Sequence, residues 1–326
     1  MMVRVVKAML VLLKESSAIP PNHLARLHEL AGGREVVITP DLKSADLRLE
    51  QIEILAGFLG PAQLGLLPGL RWIQVWSAGV NNLLADPGVM AARYAITTTS
   101  GIHAIPMGEQ ILGYMTAFAR GLHRAIRLQS RGVWDDNPWK QLAELHGRTV
   151  LILGAGAIGS HTARLCLAFG MEVIGVRRHP QDSADPGYPV FPVSELDRLL
   201  PRADYLVNAL PLTPKTRNLI DEAAIGRMKP GAVFINVGRG KTVDEPALIE
   251  ALRNGHLGGA GLDVFAEEPL PGDSPFWTME NVILTRHYAG STPNYEDRAM
   301  ELFLDNLERY TTGKPLRNLV DRDRGY

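Results

Sequence analysis

Three glycines between residues 154 and 159 form the pattern with the clearest chemical meaning in this chain. They lie in the run VLILGAGAIG, after an apolar segment that predicts a strand ending at Leu153 and before a pattern that predicts a helix over residues 160–169. A strand, a glycine turn and a helix N-terminus together suit a dinucleotide pyrophosphate, because the backbone can approach it closely and N–H groups face its charge. We therefore predict a nucleotide site rather than a purely structural turn. Its expected contact residues are Gly154, Gly156, Ala157, Ile158 and Gly159.

The residues expected near the adenosine ribose are basic rather than acidic. The next predicted strand ends at Val176 and is followed by Arg177, Arg178 and His179, and no acid appears before Asp182. An NAD site usually has a carboxylate here that binds the ribose 2′-hydroxyl, whereas guanidinium groups bind a 2′-phosphate through paired hydrogen bonds. We therefore expect NADP(H) to be preferred and NAD(H) to be the second cofactor. The alternative is that the two arginines form a solvated basic loop.

A guanidinium, carboxylates and an imidazole lie at the ends of three later predicted strands. Arg239 follows the first, Asp263, Glu267 and Glu268 lie at the end of the second, and Arg286 and His287 follow the third. Ligands of open parallel sheets bind beyond the carboxyl ends of the strands, so these side chains are predicted to lie on the edge that holds the nucleotide. Reduction of a ketone by hydride needs a proton donor, and histidine suits that role near neutral pH. A carboxylate favours the charged imidazolium, and an arginine can hold a substrate carboxylate. The three residue types therefore predict reduction of a ketoacid.

The elements that must position these groups alternate between strand and helix. In the first hundred residues we predict strands over 7–13, 35–38, 52–56, 72–76 and 95–98, with a helix beginning at Pro21. Later strands are predicted to end at Leu153, Val176, Asn208, Val237, Val264 and Thr285. A long helix over 105–128 and a tail helix over 295–310, which would pack on the first domain, complete the pattern.

Such alternation predicts an α/β fold with doubly wound parallel sheets. We expect a Rossmann nucleotide domain at residues 101–288. Residues 1–100 and 289–326 would form a smaller, discontinuous, flavodoxin-like α/β domain that binds substrate.

Composition excludes several functional classes. The 326 residues include 34 basic and 35 acidic side chains, so the charge offers no case for nucleic acid or membrane binding. The apolar run from Ala8 to Leu13 is too short to span a bilayer. A single cysteine, Cys166, excludes an intrachain disulfide, and the histidines and acids are too scattered to indicate a metal site. We expect a cytoplasmic protein that binds small molecules and no metal.

Five segments, in order, resemble the D-isomer-specific 2-hydroxyacid dehydrogenase family, above all its glyoxylate/hydroxypyruvate reductase branch. They are HGRTVLILGAGAIG, NALPLTPKTRNLI, FINVGRGKTVDEPAL, GLDVFAEEPL and VILTRHYAGST. The resemblance implies that Arg239 binds the substrate, that Glu268 pairs with His287, and that His287 is a general acid that also contacts the substrate. It also implies cofactor contacts at Leu210, Pro211, Thr216, Val237, Gly238 and Asp263, the last at the nicotinamide carboxamide.

The resemblance further implies a substrate loop and a homodimer. Backbone amides at Ala78, Gly79 and Val80 would meet the substrate carboxylate, and an ordinary strand-to-helix loop is the alternative there. The homodimer would form through the nucleotide domains, with Trp134 or Trp139 at the interface or packed within the subunit. The two domains would close over the ligands. Helix-end or surface roles are expected for His103 and His123, and a local structural role for His146.

The sequence departs from the family pattern at two positions. Arg286 replaces the proline that usually precedes the histidine, and Arg177 stands where NAD-dependent members have an aspartate. Among relatives the second change accompanies a preference for NADPH and a reductase role. The interpretation is an NADPH-preferring reductase of small 2-ketoacids such as glyoxylate or hydroxypyruvate. One alternative is an NAD-linked D-2-hydroxyacid or phosphoglycerate dehydrogenase, which Arg177, Arg178 and the expectation that no regulatory domain follows Tyr326 disfavour. The other is a non-catalytic, nucleotide-sensing protein like a corepressor.

Overall fold

A computed structural model describes residues 7–13, 19–43, 48–136, 142–180, 187–323 and 325. The chain divides into two compact units, Met1–Ile102 with Thr292–Tyr326, and His103–Ser291. The first unit is therefore assembled from two separated parts of the chain. Among the described residues each unit contains one parallel sheet.

The described strands of the first unit form a five-stranded parallel sheet in the order β2-β1-β3-β4-β5. They are β1 (Ala8–Leu12), β2 (Glu35–Thr39), β3 (Ile52–Ala56), β4 (Trp72–Gln74) and β5 (Ala95–Thr97). The helices are α1 (Pro21–Leu30), α2 (Pro61–Leu64), α3 (Asn81–Leu84), α4 (Pro87–Ala91) and, near the C-terminus, α11 (Tyr295–Thr311). This strand order is that of flavodoxin-like sheets, so the predicted fold of the smaller domain is confirmed.

Apolar side chains cover both faces of this sheet. Along β1, Leu10 belongs to one buried cluster and its neighbour Met9 to the other, because successive strand residues point to opposite faces. Helix α11 covers the second face, and its Phe303 ring lies 5.5 Å from that of Trp72. Its buried apolar residues are Ala299, Met300, Phe303, Leu304 and Leu307. That helical spacing explains why the tail helix packs on the first domain, as expected.

The described strands of the second unit form a seven-stranded parallel sheet in the order β12-β11-β10-β9-β6-β7-β8. They are β6 (Thr149–Leu153), β7 (Glu172–Val176), β8 (Val190–Phe191), β9 (Tyr205–Asn208), β10 (Ala232–Asn236), β11 (Leu257–Leu262) and β12 (Val282–Leu284). The direction of winding reverses between β6 and β9, which is where doubly wound sheets bind nucleotides. The predicted Rossmann sheet is confirmed. The last three strands end one or two residues before the predicted positions, and β8 has no predicted counterpart because two residues carry no periodic pattern.

The helices of the second unit are α5 (Ala104–Ala119), α6 (Leu122–Ser130), α7 (Ala157–Ala168), α8 (Leu196–Leu199), α9 (Glu222–Gly226) and α10 (Glu245–Arg253). The single helix expected over 105–128 is wrong, because Gly121 adopts a left-handed conformation with φ 65° and separates α5 from α6. Ile111, Met115 and Phe118 of α5 are buried. No helix in the described part of the chain is long and apolar enough to cross a membrane.

Candidate active site

The glycine turn connects β6 to α7 beside the end of β9. Gly154 has φ 95°, and a Cβ there would lie 2.9 Å from the carbonyl oxygen of Ala209. Gly159 lies against the Gly154 carbonyl so closely that a side chain would collide with it. A Cβ on Gly156 would instead enter open space, and Gly156 and Ala157 are exposed. The first turn of α7 is thus accessible to a bound phosphate, so these residues fit a dinucleotide pyrophosphate.

The two arginines follow β7 directly, next to this turn. The carbonyl oxygen of Val176, the last residue of β7, accepts a hydrogen bond of 2.9 Å from the Gly154 N–H. Arg177 is half-buried and its backbone N–H donates to the Phe191 carbonyl at 3.0 Å, whereas Arg178 is exposed. The two basic residues therefore lie one strand away from the glycine turn. Asp182 lies outside the described residues.

His287 and Glu268 form a hydrogen-bonded pair. Nδ1 of His287 donates to Oε2 of Glu268 at 2.7 Å, and Oε1 of Glu268 accepts from the Phe265 N–H at 2.9 Å. His287 has φ 54°, a left-handed conformation that is uncommon outside glycine and clusters at functional sites. Because Nδ1 is occupied by Glu268, Nε2 is the ring atom left for proton transfer to a substrate.

Asp263 anchors the turn that carries His287. Its side chain is buried, with the residue 1% exposed, and accepts from the N–H groups of Tyr288 and Ala289 at 3.0 Å each. It also accepts from the Thr285 hydroxyl at 2.5 Å, and that hydroxyl accepts from the Tyr114 phenol at 2.6 Å. Burial raises the pKa of Tyr114 to about 12, so the phenol remains a donor. The sequence around Asp263 did not indicate that its side chain anchors this turn.

Arg239 follows β10 and is half-buried. Its guanidinium donates to the Gly238 carbonyl at 2.7 Å. Its own carbonyl oxygen accepts from the Thr242 hydroxyl at 2.6 Å and from the Asn236 amide at 3.3 Å. Burial lowers the pKa of Arg239, and the negative charge of Glu268 opposes that shift. Arginine stays protonated in proteins, so Arg239 places a cation after β10, next to the strand whose following loop carries Glu268.

Hydrogen bonds and a close backbone contact join the ends of β9 and β10 and the loops that follow them. The buried Asn208 amide donates to Asn236 at 2.9 Å and to Thr242 at 2.7 Å. A Cβ on Gly238 would lie 2.6 Å from the carbonyl oxygen of Leu210, so the loops touch. The predicted cofactor residues on these two loops are Leu210, Pro211, Thr216, Val237 and Gly238, and the Thr216 hydroxyl closes the first loop by donating to Pro211 at 2.6 Å. The sequence offered no signal for the asparagine network.

The predicted substrate loop lies in the first unit, between β4 and α3. Ala78 is exposed and Gly79 is half-buried, while the Ser77 hydroxyl donates to the Gly79 carbonyl at 2.8 Å. The Val80 side chain belongs to the apolar core. The Val80 side chain is therefore not available to a ligand.

The histidines expected to be structural differ among themselves. His123 bonds the Ala117 carbonyl at 3.0 Å through Nδ1, and His146 packs against Gly170. His103 directly precedes α5, and burial and then the positive charge of Arg239 lower its pKa. The position of His103 in the sequence did not indicate this effect of Arg239. In the described residues no group of three or more histidines, cysteines or acids could hold a metal ion.

Comparison with known proteins adds a family context. Residues 112–289 match the D-isomer specific 2-hydroxyacid dehydrogenase, NAD binding domain. Glyoxylate/hydroxypyruvate reductase B of Yersinia pestis (strain Pestoides F) is 34% identical over 293 residues, which are 87% of this chain and 89% of that protein. D-3-phosphoglycerate dehydrogenase of Methanocaldococcus jannaschii is 36% identical over 218 residues, 67% of this chain and 41% of that protein, so the chain spans less than half of this relative.

A solved structure extends the similarity to three dimensions. The NADPH-dependent glyoxylate/hydroxypyruvate reductase from Sinorhizobium meliloti, in complex with NADP and sulfate, superposes with a TM-score of 0.82. Its sequence identity is 30%, and the superposition covers 98% of this chain and 100% of that one.

Proposed function

Because the chain belongs to the D-isomer specific 2-hydroxyacid dehydrogenase family, we propose that it is an NADPH-preferring reductase of small 2-ketoacids. Membership confirms the resemblance carried by the five sequence segments. Glyoxylate and hydroxypyruvate are the proposed substrates and D-2-hydroxyacids the products. The observation that carries the proposal is the 2.7 Å hydrogen bond between His287 and Glu268, in the same unit as Arg239 and the glycine turn.

In the proposed reaction Arg239, His287 and Glu268 each have a separate role. When bound, the nicotinamide supplies the hydride that is added to the carbonyl carbon. Arg239 holds the substrate carboxylate through paired hydrogen bonds and stabilises the negative charge that develops on the carbonyl oxygen. His287 donates a proton from Nε2 to that oxygen, while Glu268 orients the ring and stabilises its charged form. In the oxidative direction the neutral His287 accepts the same proton.

The preference for NADPH follows from the charge at the end of β7. Arg177 and Arg178 suit a 2′-phosphate, and no described residue between Val176 and Pro180 is acidic. The NADPH-dependent reductase from Sinorhizobium meliloti supports the same preference. The proposal assigns the other cofactor contacts to the glycine turn, to the two loops joined by Asn208, and to Asp263 at the carboxamide.

The smaller domain contributes the substrate loop in this proposal. The backbone of Ala78, Gly79 and Val80 would bind the substrate carboxylate, since main-chain N–H groups in a turn form an anion site. Residues 101–288 then serve as the nucleotide domain and the remainder as the substrate domain, in a cytoplasmic enzyme.

A homodimer through the nucleotide domains completes the proposal. Among its described residues α6 has no buried side chain, and apolar groups are exposed on it and just beyond it, with Ile126 at 65% and Trp134 at 88%. Such a patch is typical of an interface. Trp139, the other tryptophan of this region, lies outside the described residues.

Light scattering on Ile126→Glu/Trp134→Glu tests the dimer. We expect the mass of a monomer, while Phe58→Glu, an exposed apolar position in the first unit, keeps the mass of the wild-type dimer. A wild-type monomer contradicts the assignment.

A panel of 2-ketoacids, each assayed with NADPH and with NADH, tests the activity. We expect the highest kcat/KM for glyoxylate or hydroxypyruvate with NADPH. The similarity to D-3-phosphoglycerate dehydrogenase favours a second candidate, which oxidation of D-3-phosphoglycerate with NAD would identify. Tight NADPH binding without turnover of any substrate would instead indicate a nucleotide-sensing binding protein.

A further inference from the structure

Glu245 is joined to the loop that carries Glu268. It is the first residue of α10, and its Oε1 accepts from the Ala266 N–H at 2.5 Å. The preceding N–H, that of Phe265, donates to Glu268 at 2.9 Å. Two consecutive backbone donors are therefore held by two glutamates, one from α10 and one from the loop itself. The other oxygen of Glu268 meets His287 at 2.7 Å.

Helix capping does not account for Glu245. The N-cap is Asp244, whose carboxylate accepts from the Ala247 N–H at 3.1 Å. Burial raises the pKa of Glu245, the bond from Ala266 acts in the opposite direction, and the charge of Glu268 raises it further. An acid that is half-buried beside a second acid is disfavoured in its charged form. The bond to the Ala266 N–H is therefore a contact of Glu245 outside its own helix.

The 265–268 loop also meets the turn that carries Arg239. A Cβ on Gly240 would collide with the backbone of Phe265 and Ala266. The turn after β10 and the loop after β11 thus touch at the two residues whose N–H groups the glutamates hold. Any shift of Ala266 would move Glu268 relative to both Arg239 and His287.

We propose that Glu245 is a positioning residue for the Glu268–His287 pair. By holding the Ala266 N–H it fixes the 265–268 loop, so that Glu268 reaches Nδ1 of His287 and leaves Nε2 toward the substrate. It acts through the loop and does not touch the substrate. The inference rests on the proposed function in one respect, which is that His287 transfers the proton.

Two substitutions separate the reach of Glu245 from its charge. Glu245→Gln keeps the length and an acceptor oxygen but removes the charge. Glu245→Asp keeps the charge and an acid at the helix start but is one methylene too short for Ala266. We expect kcat to fall about 10- to 100-fold in Glu245→Asp and to stay within about twofold of wild type in Glu245→Gln, since small misplacements of reacting groups have effects of this size. KM for NADPH should not change in either.

Helix α9 offers a matched control. Its N-cap Asp221 accepts from the Ala224 N–H at 2.8 Å, and Glu222 follows as the first helical residue, exposed to solvent. Glu222→Asp and Glu222→Gln should leave kcat unchanged.

A second measurement does not depend on turnover. Long-range ¹H–¹⁵N spectra show which nitrogen of a neutral imidazole carries the proton, and the His287 signal is assigned by its absence in His287→Ala. We expect the proton on Nδ1 in wild type and Glu245→Gln, and a shift toward Nε2 in Glu245→Asp.

Wild-type kcat and an unchanged tautomer in Glu245→Asp would overturn the proposal. A loss of kcat in Glu245→Gln that is as large as, or larger than, the loss in Glu245→Asp would overturn it too, because the length of the side chain would then not be what decides the activity. Should the wild-type protein reduce no 2-ketoacid, the proposed function fails while the tautomer comparison still decides the role of Glu245.

Discussion

Replacing the two arginines after β7 tests the cofactor choice most directly. The proposed change is Arg177→Asp with Arg178→Ser. The end of β7 is tied to the glycine turn, since the Val176 carbonyl accepts from the N–H groups of Gly154 at 2.9 Å and Ala155 at 3.2 Å. Arg177 therefore stands one residue from the anchored backbone of the phosphate site. The substitution leaves Arg239, Glu268 and His287 untouched.

The size of the effect follows from the exposure of the two guanidiniums. A hydrogen bond to a charged group contributes about 1.5–3 kcal/mol, and solvent reduces this for groups that are not buried. Arg177 is half-buried and Arg178 is exposed, so the pair together supplies on the order of one such bond. At about 1.4 kcal/mol per tenfold, kcat/KM should favour NADPH by about 10- to 100-fold. In the variant the new carboxylate repels the 2′-phosphate, so the preference should vanish or reverse.

Steady-state kinetics with NADPH and NADH at low and high salt provide the measurement. Wild-type kcat/KM for NADPH should fall more with salt than that for NADH, because only NADPH carries the extra phosphate. The variant should keep the wild-type kcat with NADH. Arg253→Asp with Arg227→Ser is the control, because it changes the net charge equally at helix ends that precede β11 and β10. Equal use of both cofactors by the wild type at low salt, or an equal change in the control, would refute the reasoning.

Three further outcomes test the site and the fold. His287→Ala should lower kcat for reduction by about 10²–10⁴-fold while fluorescence titration shows unchanged NADPH affinity, and near wild-type turnover would remove His287 from the mechanism. Arg239→Lys should restore only part of the activity lost in Arg239→Ala, because a point charge cannot bind a carboxylate in two places; full recovery would exclude paired binding. In Glu53→Gln the free energy of unfolding, measured with urea, should fall less at acid pH than in the wild type. Burial raises the pKa of Glu53, but hydrogen bonds from Arg34, Lys7 and Tyr310 lower it overall. The wild-type free energy of unfolding should therefore fall as pH drops through this lowered pKa, and Glu35→Gln, exposed on β2, should leave that dependence intact. Identical acid slopes for Glu53→Gln and the wild type would contradict this account.

The sequence by itself was sufficient for the fold class and for the kind of chemistry. Apolar strands that alternate with amphipathic helices specify parallel α/β sheets, because each strand buries both faces. The glycine turn was identifiable because its glycines stand at a fixed spacing between a predicted strand and a predicted helix, and two of them, Gly154 and Gly159, meet a local steric requirement. Arg239, Glu268 and His287 could be predicted as site residues because they lie in the segments that follow β10, β11 and β12, and all parallel strands end on one edge.

The sequence pattern did not predict the bounds of an element where a single residue changed the backbone conformation, or where the element was only two residues long. The apolar periodicity of residues 105–128 continues across Gly121, so its left-handed φ could not be inferred from spacing. The two residues of β8 form a strand only because they pair with the end of β7.

Tertiary structure alone decided which side chains meet. His287 and Glu268 are 19 residues apart, Asn208 and Asn236 are 28 apart, and Ala266 and Glu245 are 21 apart. Nothing in the spacing of such pairs marks them as partners, because strand order rather than chain distance brings their loops together. Asp263 shows this most clearly, since its carboxylate is satisfied by donors from a turn that follows the next strand. The residue types therefore indicate the chemistry, whereas the hydrogen bonds that orient the side chains depend on how β9, β10, β11 and β12 lie side by side.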